Sequence, residues 1–420
     1  MYNNKLFSGK SLYLKNILLV AGGAAIAQGL AIMISPIIAR LYTPADFGAF
    51  AFYSSILSLL TVASTGRYEL AITLPAEDSD AKTLCALIML MVGITSVLAT
   101  VAGFIVSSCG IGTTANSLPE GLLYFLPLSI LSAGAYQVLY SLALRGGNFQ
   151  QMSTAKISSS VFGALSNVAA GLSKLGSAGL VVASIAAQTA GSATLVWRHL
   201  RSSRGEFKGI TVTKMMTLAK TYYRFPLYSM PSDFLNAAAQ QMPVLLFSSY
   251  FSASVVGYYS FAMRILGLPV ALISSSVTDA FRNRATSDLQ REGNCRNIFD
   301  KTFLGLFWIG LGPFLVFTVF APSLFEFVFG KEWREAGEFG QVCAVLFYLR
   351  FIVSPLSYVL ILRQRQMWDM IGQASLLALT VLAIVVGAAA NSEKVALVLY
   401  TGVYSAVYIL YFIASYRLSR

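Results

Sequence analysis

Two arginines lie inside long apolar stretches of the sequence, where charged side chains are rare. Arg264 falls within the apolar run 254–281, and Arg350 falls within the run 336–362. A charge at the centre of a bilayer costs at least ~2.5–3.5 kcal/mol, so each arginine needs an aqueous or a paired environment. A guanidinium group binds phosphate oxygens bidentately. We therefore expect these arginines to hold an anionic substrate in a central cavity. A structural ion pair, or a side chain that reaches the membrane interface, is the alternative.

A second group of polar residues lies in the run 219–248. Its members recur at spacings of four, three and four, which places them on one face of a helix: Ser229, Asp233, Asn236 and Gln240. A polar face cannot contact lipid, so we expect it to line a cavity, where Asn236 and Gln240 would bind substrate, or to pack against another helix.

Asp233 is the only carboxylate that the runs place near the middle of a span, and two roles are open for it. Paired with an arginine such as Arg264, it is a structural counter-ion. Desolvated and unpaired in one state, it can bind a proton in that state and release it in the other. The second role would couple the transport cycle to the proton gradient.

The same run contains Pro226, Pro231 and Pro243. Each proline lacks a backbone donor and favours a bend, so we predict that this helix is broken or hinged.

Arg67 and Glu69 lie near the end of the run 46–74. Residues two apart lie on different faces of a helix. The pattern leaves two interpretations open, a structural pair at the membrane interface or a contact with substrate, and Glu69 is a second candidate for ion coupling or for a counter-ion.

The elements that must position these residues are membrane helices. Of the 420 residues, 56% are apolar and only 11% are charged, against about 25% charged residues in soluble domains. A helix needs roughly 20 apolar residues to cross the bilayer. Twelve apolar runs are separated by charged or Gly-, Pro- and Ser-rich breaks, near 14–39, 46–74, 81–107, 119–144, 154–173, 178–197, 219–248, 254–281, 298–329, 336–362, 366–390 and 394–416.

Positive charge sets the orientation, since Lys and Arg concentrate in cytoplasmic loops. With a cytoplasmic N-terminus, 23 of the 30 Lys and Arg residues fall on the cytoplasmic side and 5 on the outer side, and the other two are Arg264 and Arg350. We therefore predict a multi-pass protein of the bacterial inner membrane with both termini in the cytoplasm. On this interpretation the net charge of +12 reflects the Lys and Arg residues of the cytoplasmic loops and does not indicate nucleic-acid binding.

The longest basic connection splits the chain into two groups of six runs. We predict an N-lobe at 1–200, a basic cytoplasmic linker at 201–218 and a C-lobe at 219–420. A shift of 209 residues aligns 41–57 with 250–266, so that Gly48 meets Gly257. Because six spans return the chain to the same face, the repeat is parallel, with its pseudo-twofold axis along the membrane normal.

No residue pattern for soluble catalysis or metal binding is present. The chain has no GxxxxGK[ST] loop for ATP and no HExxH, and its four cysteines are far apart with no CxxC pair. We expect no metal and no cofactor apart from a coupling proton or sodium ion, and we disfavour a membrane glycan enzyme.

Three segments resemble a known family: 47–75, which contains GRYELAITLP, the proline-rich segment 225–277, and 329–360, which runs from FGKEWREAG to SPLSYVL. They are similar to the bacterial polysaccharide biosynthesis transporters, the Wzx-type flippases of O-antigen repeat units. The resemblance implies the fold of the multidrug/oligosaccharidyl-lipid/polysaccharide exporter superfamily, with two six-helix lobes in a V around a central cationic cavity that alternates its access.

The resemblance also implies a cargo, an oligosaccharide on undecaprenyl pyrophosphate that is flipped from the cytoplasmic to the periplasmic leaflet, and it implies the polysaccharide polymerase machinery as a partner. The resemblance implies that Arg264 and Arg350, and by extension Arg67, supply the positive charge of the cavity. The first six runs have no mid-span Arg or Lys, which departs from a cavity that is cationic on both sides. Another exporter of the superfamily, a peptidoglycan-precursor flippase or a drug/cation antiporter, is the alternative.

Overall fold

The structure is a computed structural model, and it describes residues 3–108, 120–202, 211–363 and 365–420. These residues form helices and contain no strand. The α-helices are α1 (Asn3–Leu41), α2 (Pro44–Thr65), α3 (Asp78–Ser108), α4 (Leu126–Arg145), α5 (Phe149–Leu172), α6 (Gly176–Ser202), α7 (Val212–Thr221), α8 (Met230–Tyr250), α9 (Ala253–Glu292), α10 (Arg296–Phe329), α11 (Arg334–Leu356), α12 (Tyr358–Leu362), α13 (Gln366–Ala389) and α14 (Glu393–Leu418). Short 3₁₀ or π segments lie at Tyr68–Thr73, Glu120–Phe125, Phe225–Ser229 and Lys331–Trp333.

Twelve of the described helices are 20 residues or longer, which matches the twelve apolar runs. By length and composition, nine helical stretches in the described part of the chain can cross a membrane. Helices α5, α8 and α9 are not among the nine, and in α5 and α8 polar side chains lower the mean hydropathy. The prediction of an all-α polytopic membrane protein is confirmed.

Four runs are not single helices. The fourth run begins with the 3₁₀ segment Glu120–Phe125 and continues as α4. The second run ends its α-helix at Thr65 and continues as the 3₁₀ segment Tyr68–Thr73. The seventh run is interrupted by the π segment Phe225–Ser229, and the tenth is divided into α11 and α12. Helix α9 is longer than its run. Its 40 residues correspond to about 60 Å, twice the ~30 Å of hydrocarbon, so its polar C-terminal part must extend beyond the bilayer core.

The contacts divide the chain into two compact units. Unit 1 comprises Met1–Tyr42 and Phe52–Gln241, and unit 2 comprises Thr43–Ala51 and Met242–Arg420. Helices α2 and α8 each contribute one end to each unit. This division describes packing, and the lobes that we expect at 1–200 and 219–420 stay a prediction.

Unit 1 is held together by close helix packing through small residues. An added Cβ on Gly163 of α5 would lie 3.0 Å from the Cβ of Ala187 on α6, so these helices approach closely. The hydroxyls of Tyr53 and Ser129, 2.6 Å apart, connect α2 to α4.

Unit 2 has an aromatic core. The ring of Phe261 packs against Trp333 with centroids 4.2 Å apart, against Phe329 at 4.9 Å and against Phe47 at 5.3 Å. Such contacts between aromatic rings contribute beyond the area that they bury. They fix the start of α2 to α9 and to the segment before α11.

The two glycines matched by the sequence repeat contact each other's helix in unit 2. An added Cβ on Gly48 would overlap the carbonyl oxygen of Ala253, and one on Gly257 would overlap that of Pro44. Pro44 and Ala253 are also 209 residues apart, so the contact is reciprocal, as in a twofold-related pair. Backbones this close tolerate only glycine. The structure thus supports the repeat that the sequence predicts.

Candidate functional site

An unusual turn follows α2 and positions two charged residues. Gly66 and Arg67 both have left-handed backbone conformations, with φ of 54° and 60°. A left-handed conformation costs a non-glycine residue roughly 1–2 kcal/mol, so neighbouring contacts must hold Arg67 in place. The expectation that Arg67 and Glu69 lie on different helix faces is wrong, because the α-helix ends at Thr65, before both residues.

Arg67 is the centre of an ion cluster in unit 1. Its Nη1 lies 3.1 Å from Oε1 of Glu69, and its Nε lies 2.5 Å from Oδ2 of Asp233. Oε1 of Glu69 also accepts a hydrogen bond of 2.8 Å from Nε2 of Gln137. We define the ion cluster as Arg67, Glu69, Gln137 and Asp233. With two carboxylates and one guanidinium, its formal charge is −1 when all three groups are ionised.

Glu69 is the most buried charged member of the ion cluster, with a side chain only 2% exposed. Its Oε2 is buried and has no hydrogen-bond partner in the described part of the chain. A buried carboxylate oxygen without a partner is costly. Glu69 therefore has an acceptor oxygen that no described group satisfies.

Asp233 pairs with Arg67 rather than with Arg264, the partner that the sequence analysis names as an example. It lies in the first turn of α8, directly after the π segment Phe225–Ser229. A carboxylate near a helix N-terminus is stabilised by the helix dipole.

The three predicted hinge prolines occupy different environments. Pro226 lies in the π segment, Pro231 is the second residue of α8, and Pro243 is buried within α8. Before these prolines in the chain, α7 is held to α3 by the ion pair of Lys214 with Asp80 at 2.6 Å. A turn at Tyr222 and Tyr223 and the π segment around Pro226 make this part of the run irregular, and the hinge at the prolines stays a prediction.

Asn236 and Gln240 share one face of α8, as predicted. Nε2 of Gln240 donates a hydrogen bond of 2.9 Å to Oδ1 of Asn236, and both side chains are exposed. Their remaining donors and acceptors can bind hydroxyl groups of a ligand.

Arg264 and Arg350 both belong to unit 2, on α9 and α11, and both are exposed. Neither forms an ion pair with a carboxylate among the described residues. Other arginines of unit 2 are satisfied by carboxylates or backbone carbonyls: Arg296 pairs with Asp300, Arg334 with Glu326, and Arg363 donates to the carbonyls of Gly293 and Leu418. Arg264 and Arg350 thus have guanidinium groups that can accept an external anion.

The site predicted from the sequence does not include a row of three tyrosines near Arg350. Tyr400, Tyr404 and Tyr408 follow one another at spacings of four on α14, which packs against α11, the helix of Arg350. The regular spacing was a usable signal, since it places the three rings on one helix face.

Metal binding has no support in the described ranges, where no three His, Cys, Asp or Glu side chains come together. Cys85, Cys295 and Cys343 are buried free thiols, and Cys109 lies outside the described residues.

Comparison with known proteins identifies the family. A profile of the family described as "Polysaccharide biosynthesis protein" matches residues 37–338. Teichuronic acid biosynthesis protein TuaB of Bacillus subtilis (strain 168) is 26% identical over 151 residues, which is 35% of this chain and 30% of that protein. The aligned part thus spans less than a third of TuaB.

Solved structures show the fold. Lipid II flippase MurJ, in an inward closed conformation, matches with a TM-score of 0.71 at 11% identity, over 95% of this chain and 87% of that one. An inward-facing multidrug resistance MATE family transporter of the MOP superfamily matches with a TM-score of 0.60 at 14% identity, over 95% and 94% of the two chains. The protein is therefore a multi-pass membrane protein with a transporter fold, and the chain belongs to the polysaccharide biosynthesis protein family.

Proposed function

We propose that this protein is a flippase that moves an oligosaccharide linked to undecaprenyl pyrophosphate across the bacterial inner membrane. The observation that carries the proposal is the pair Arg264 and Arg350, two exposed arginine residues on apolar helices with no ion pair in the described part of the chain. A charge in this position is stable only beside water or an opposite charge. A pyrophosphate supplies the opposite charge.

The cargo has three parts with different solvent requirements. The pyrophosphate binds the guanidinium groups, because these form paired hydrogen bonds to phosphate oxygens. The sugars need hydrogen bonds, which Asn236 and Gln240 offer. The lipid tail stays in the bilayer. No covalent step is required, so binding and alternating access are sufficient for transport.

The ion cluster is suited to coupling. In the structure Arg67 is already held by Glu69 and Asp233, so it is less available to a substrate than Arg264 or Arg350. If the contact between Arg67 and Asp233 opens during the cycle, Asp233 loses its counter-charge and gains affinity for a proton. The interrupted backbone at Pro226 and Pro231 lies beside Asp233 and is where the chain would bend.

The direction of transport follows from the proposed orientation. With both termini in the cytoplasm, the lipid-linked unit enters from the cytoplasmic leaflet and leaves on the outer side, where a polymerase would use it. Alternating access would arise from motion of the predicted lobes, 1–200 and 219–420.

Deletion of the gene tests the function. The proposal predicts that surface polysaccharide is lost while its lipid-linked repeat unit accumulates in the cytoplasmic leaflet, as measured by enzymatic accessibility in spheroplasts. A plasmid copy of the wild-type gene should reverse both effects. Arrested peptidoglycan synthesis with normal surface polysaccharide would instead indicate a peptidoglycan-precursor flippase, and an altered drug sensitivity alone would indicate an antiporter.

A further inference from the structure

The row of tyrosines on α14 changes from buried to half-buried along its length. Tyr400 is 5% exposed, and its hydroxyl accepts a hydrogen bond of 3.2 Å from Tyr259 on α9. Tyr404 and Tyr408 are half-buried. The ring centroids of Tyr400 and Tyr404 are 4.8 Å apart, and those of Tyr404 and Tyr408 are 6.4 Å apart. The first tyrosine therefore anchors the helix, while the next two keep part of their surface accessible.

Arg350 on α11 lies at the level of Tyr408 on α14, because the two helices run parallel. Nζ of Lys394 lies 2.9 Å from Oε2 of Glu338, and Sγ of Cys343 lies 3.7 Å from Oγ1 of Thr401. Arg350 and Tyr408 each follow the second contact by seven residues, or about two helical turns. Arg350 is exposed and forms no ion pair with the carboxylates that the structure describes. One place in unit 2 thus combines aromatic rings, hydroxyl groups and an uncompensated guanidinium.

This combination suits a phosphorylated sugar. The C–H groups on one face of a pyranose ring pack on an aromatic ring, and phenol hydroxyls exchange hydrogen bonds with sugar hydroxyls. A guanidinium binds the phosphate that follows the first sugar. Hydrophobic packing of α14 alone would need neither the hydroxyls nor the arginine.

We propose that Tyr404 and Tyr408 form a subsite for the first sugar of the cargo, beside the phosphate bound by Arg350. This inference rests on the proposed function and adds the part of the protein that recognises the saccharide. It predicts that the tyrosines distinguish a glycosylated lipid from the bare lipid carrier, whereas Arg350 serves both.

Equilibrium binding to the full-length protein in nanodiscs tests the subsite with two probes. One probe is undecaprenyl pyrophosphate without sugar, and the other is the lipid-linked repeat unit extracted from the deletion strain. Tyr404→Leu and Tyr408→Leu should each weaken binding of the glycosylated lipid at least fivefold and leave binding of the bare lipid unchanged. Arg350→Gln should weaken both to a similar degree.

Two further variants separate recognition from folding. Tyr404→Phe keeps the ring and should weaken binding of the glycosylated lipid only two- to threefold. Tyr411→Leu makes the same change at another half-buried position of α14 and should leave the affinities for both lipids unchanged.

Equal losses for the two lipids in Tyr404→Leu and Tyr408→Leu, or no loss for either, would overturn the subsite while leaving the flippase intact. Wild-type protein that binds neither lipid would overturn the proposed function, and the subsite with it.

Discussion

The arginines of the two units differ in how the protein compensates their charge. In unit 1, Arg67 contacts two carboxylates, Glu69 at 3.1 Å and Asp233 at 2.5 Å. In unit 2, Arg264 and Arg350 contact no carboxylate within the described ranges and are exposed. The charge of Arg67 is compensated within the protein, and the charges of Arg264 and Arg350 are not. A cation without an internal partner in an apolar helix indicates a place where an anion binds.

The difference assigns different work to the two units. Unit 2 has two exposed arginines without a carboxylate partner among the described residues, while unit 1 has a buried carboxylate, Glu69, whose Oε2 has no hydrogen-bond partner there, beside the ion pair of Arg67 with Asp233. On the proposed function, binding of the phosphate and ion coupling would reside in separate units. The predictions below test this division, from the largest expected effect to the smallest.

Removing either unit 2 guanidinium should abolish transport. We expect Arg264→Ala and Arg350→Ala to insert normally and to fail to restore surface polysaccharide in the deletion strain, while the lysine variants retain part of the activity. Lysine keeps the charge and loses the bidentate geometry. Polysaccharide output per inserted protein is the measurement.

Arg291→Ala is the matched control, since Arg291 is an exposed arginine in the polar C-terminal part of the same helix as Arg264. It should restore full activity. Wild-type output from both Arg264→Ala and Arg350→Ala would refute the binding role of unit 2.

Removing the unit 1 guanidinium should instead destabilise the protein. Arg67→Leu leaves the carboxylate of Glu69 buried without its counter-charge, which typically costs about 3–5 kcal/mol. We expect a lower Tm in detergent, and the further change Glu69→Gln should recover part of the loss because it removes the buried charge. An unchanged Tm for Arg67→Leu would show that the ion cluster does not stabilise unit 1.

The contact between α2 and α9 at Gly48 and Gly257 should be equally sensitive to a substitution at either glycine. Gly48→Ala and Gly257→Ala each place a Cβ on a carbonyl of the opposite helix, and we expect similar losses of roughly 1–3 kcal/mol. Gly402→Ala is the control, since an added Cβ there meets no atom within 4 Å. A loss at only one of the two glycines, measured by thermal unfolding, would contradict the reciprocal contact.

Neutralising Asp233 should alter pH dependence more than binding. Asp233→Asn mimics the protonated carboxyl, so flux should become insensitive to pH while affinity for the lipid stays within about twofold of wild type. The comparison is flux into proteoliposomes at two internal pH values. A variant with the pH response of the wild type would exclude coupling by Asp233 and leave Glu69 as the candidate.

The smallest effect is expected from the prolines. Pro231→Ala combined with Pro243→Ala restores backbone donors and should make the start of α8 harder to bend, which shifts the balance of the two access states. Cysteine accessibility from both sides of the membrane would report the shift. Unchanged accessibility together with unchanged transport would remove the hinge from the mechanism.

Much of the fold was predictable because the bilayer imposes it. Apolar runs of spanning length predict the long helices, the prolines predict the interruption before Met230, and the alignment of Gly48 with Gly257 predicts a contact that the structure contains. These features depend on local composition or on the repeat, so one sequence is sufficient to find them.

The ion cluster was less predictable for a physical reason. Arg67 contacts Glu69 only because two left-handed residues end α2 early, and a left-handed arginine has no sequence signal. Its contact with Asp233 joins residues 166 apart, which depends on tertiary packing. Arg264 and Arg350 were identifiable, since a charge within an apolar run is visible in the sequence itself.

The central claim is that the unit 2 arginines bind a pyrophosphate, and one binding comparison tests it most directly. Wild-type protein in nanodiscs should bind undecaprenyl pyrophosphate at least tenfold more tightly than undecaprenol, a difference of about 1.4 kcal/mol or more. In the double variant Arg264→Gln, Arg350→Gln this preference should vanish, while Arg291→Gln should retain it. Equal affinity of the wild-type protein for the two lipids, or a preference that survives in the double variant, would contradict the account.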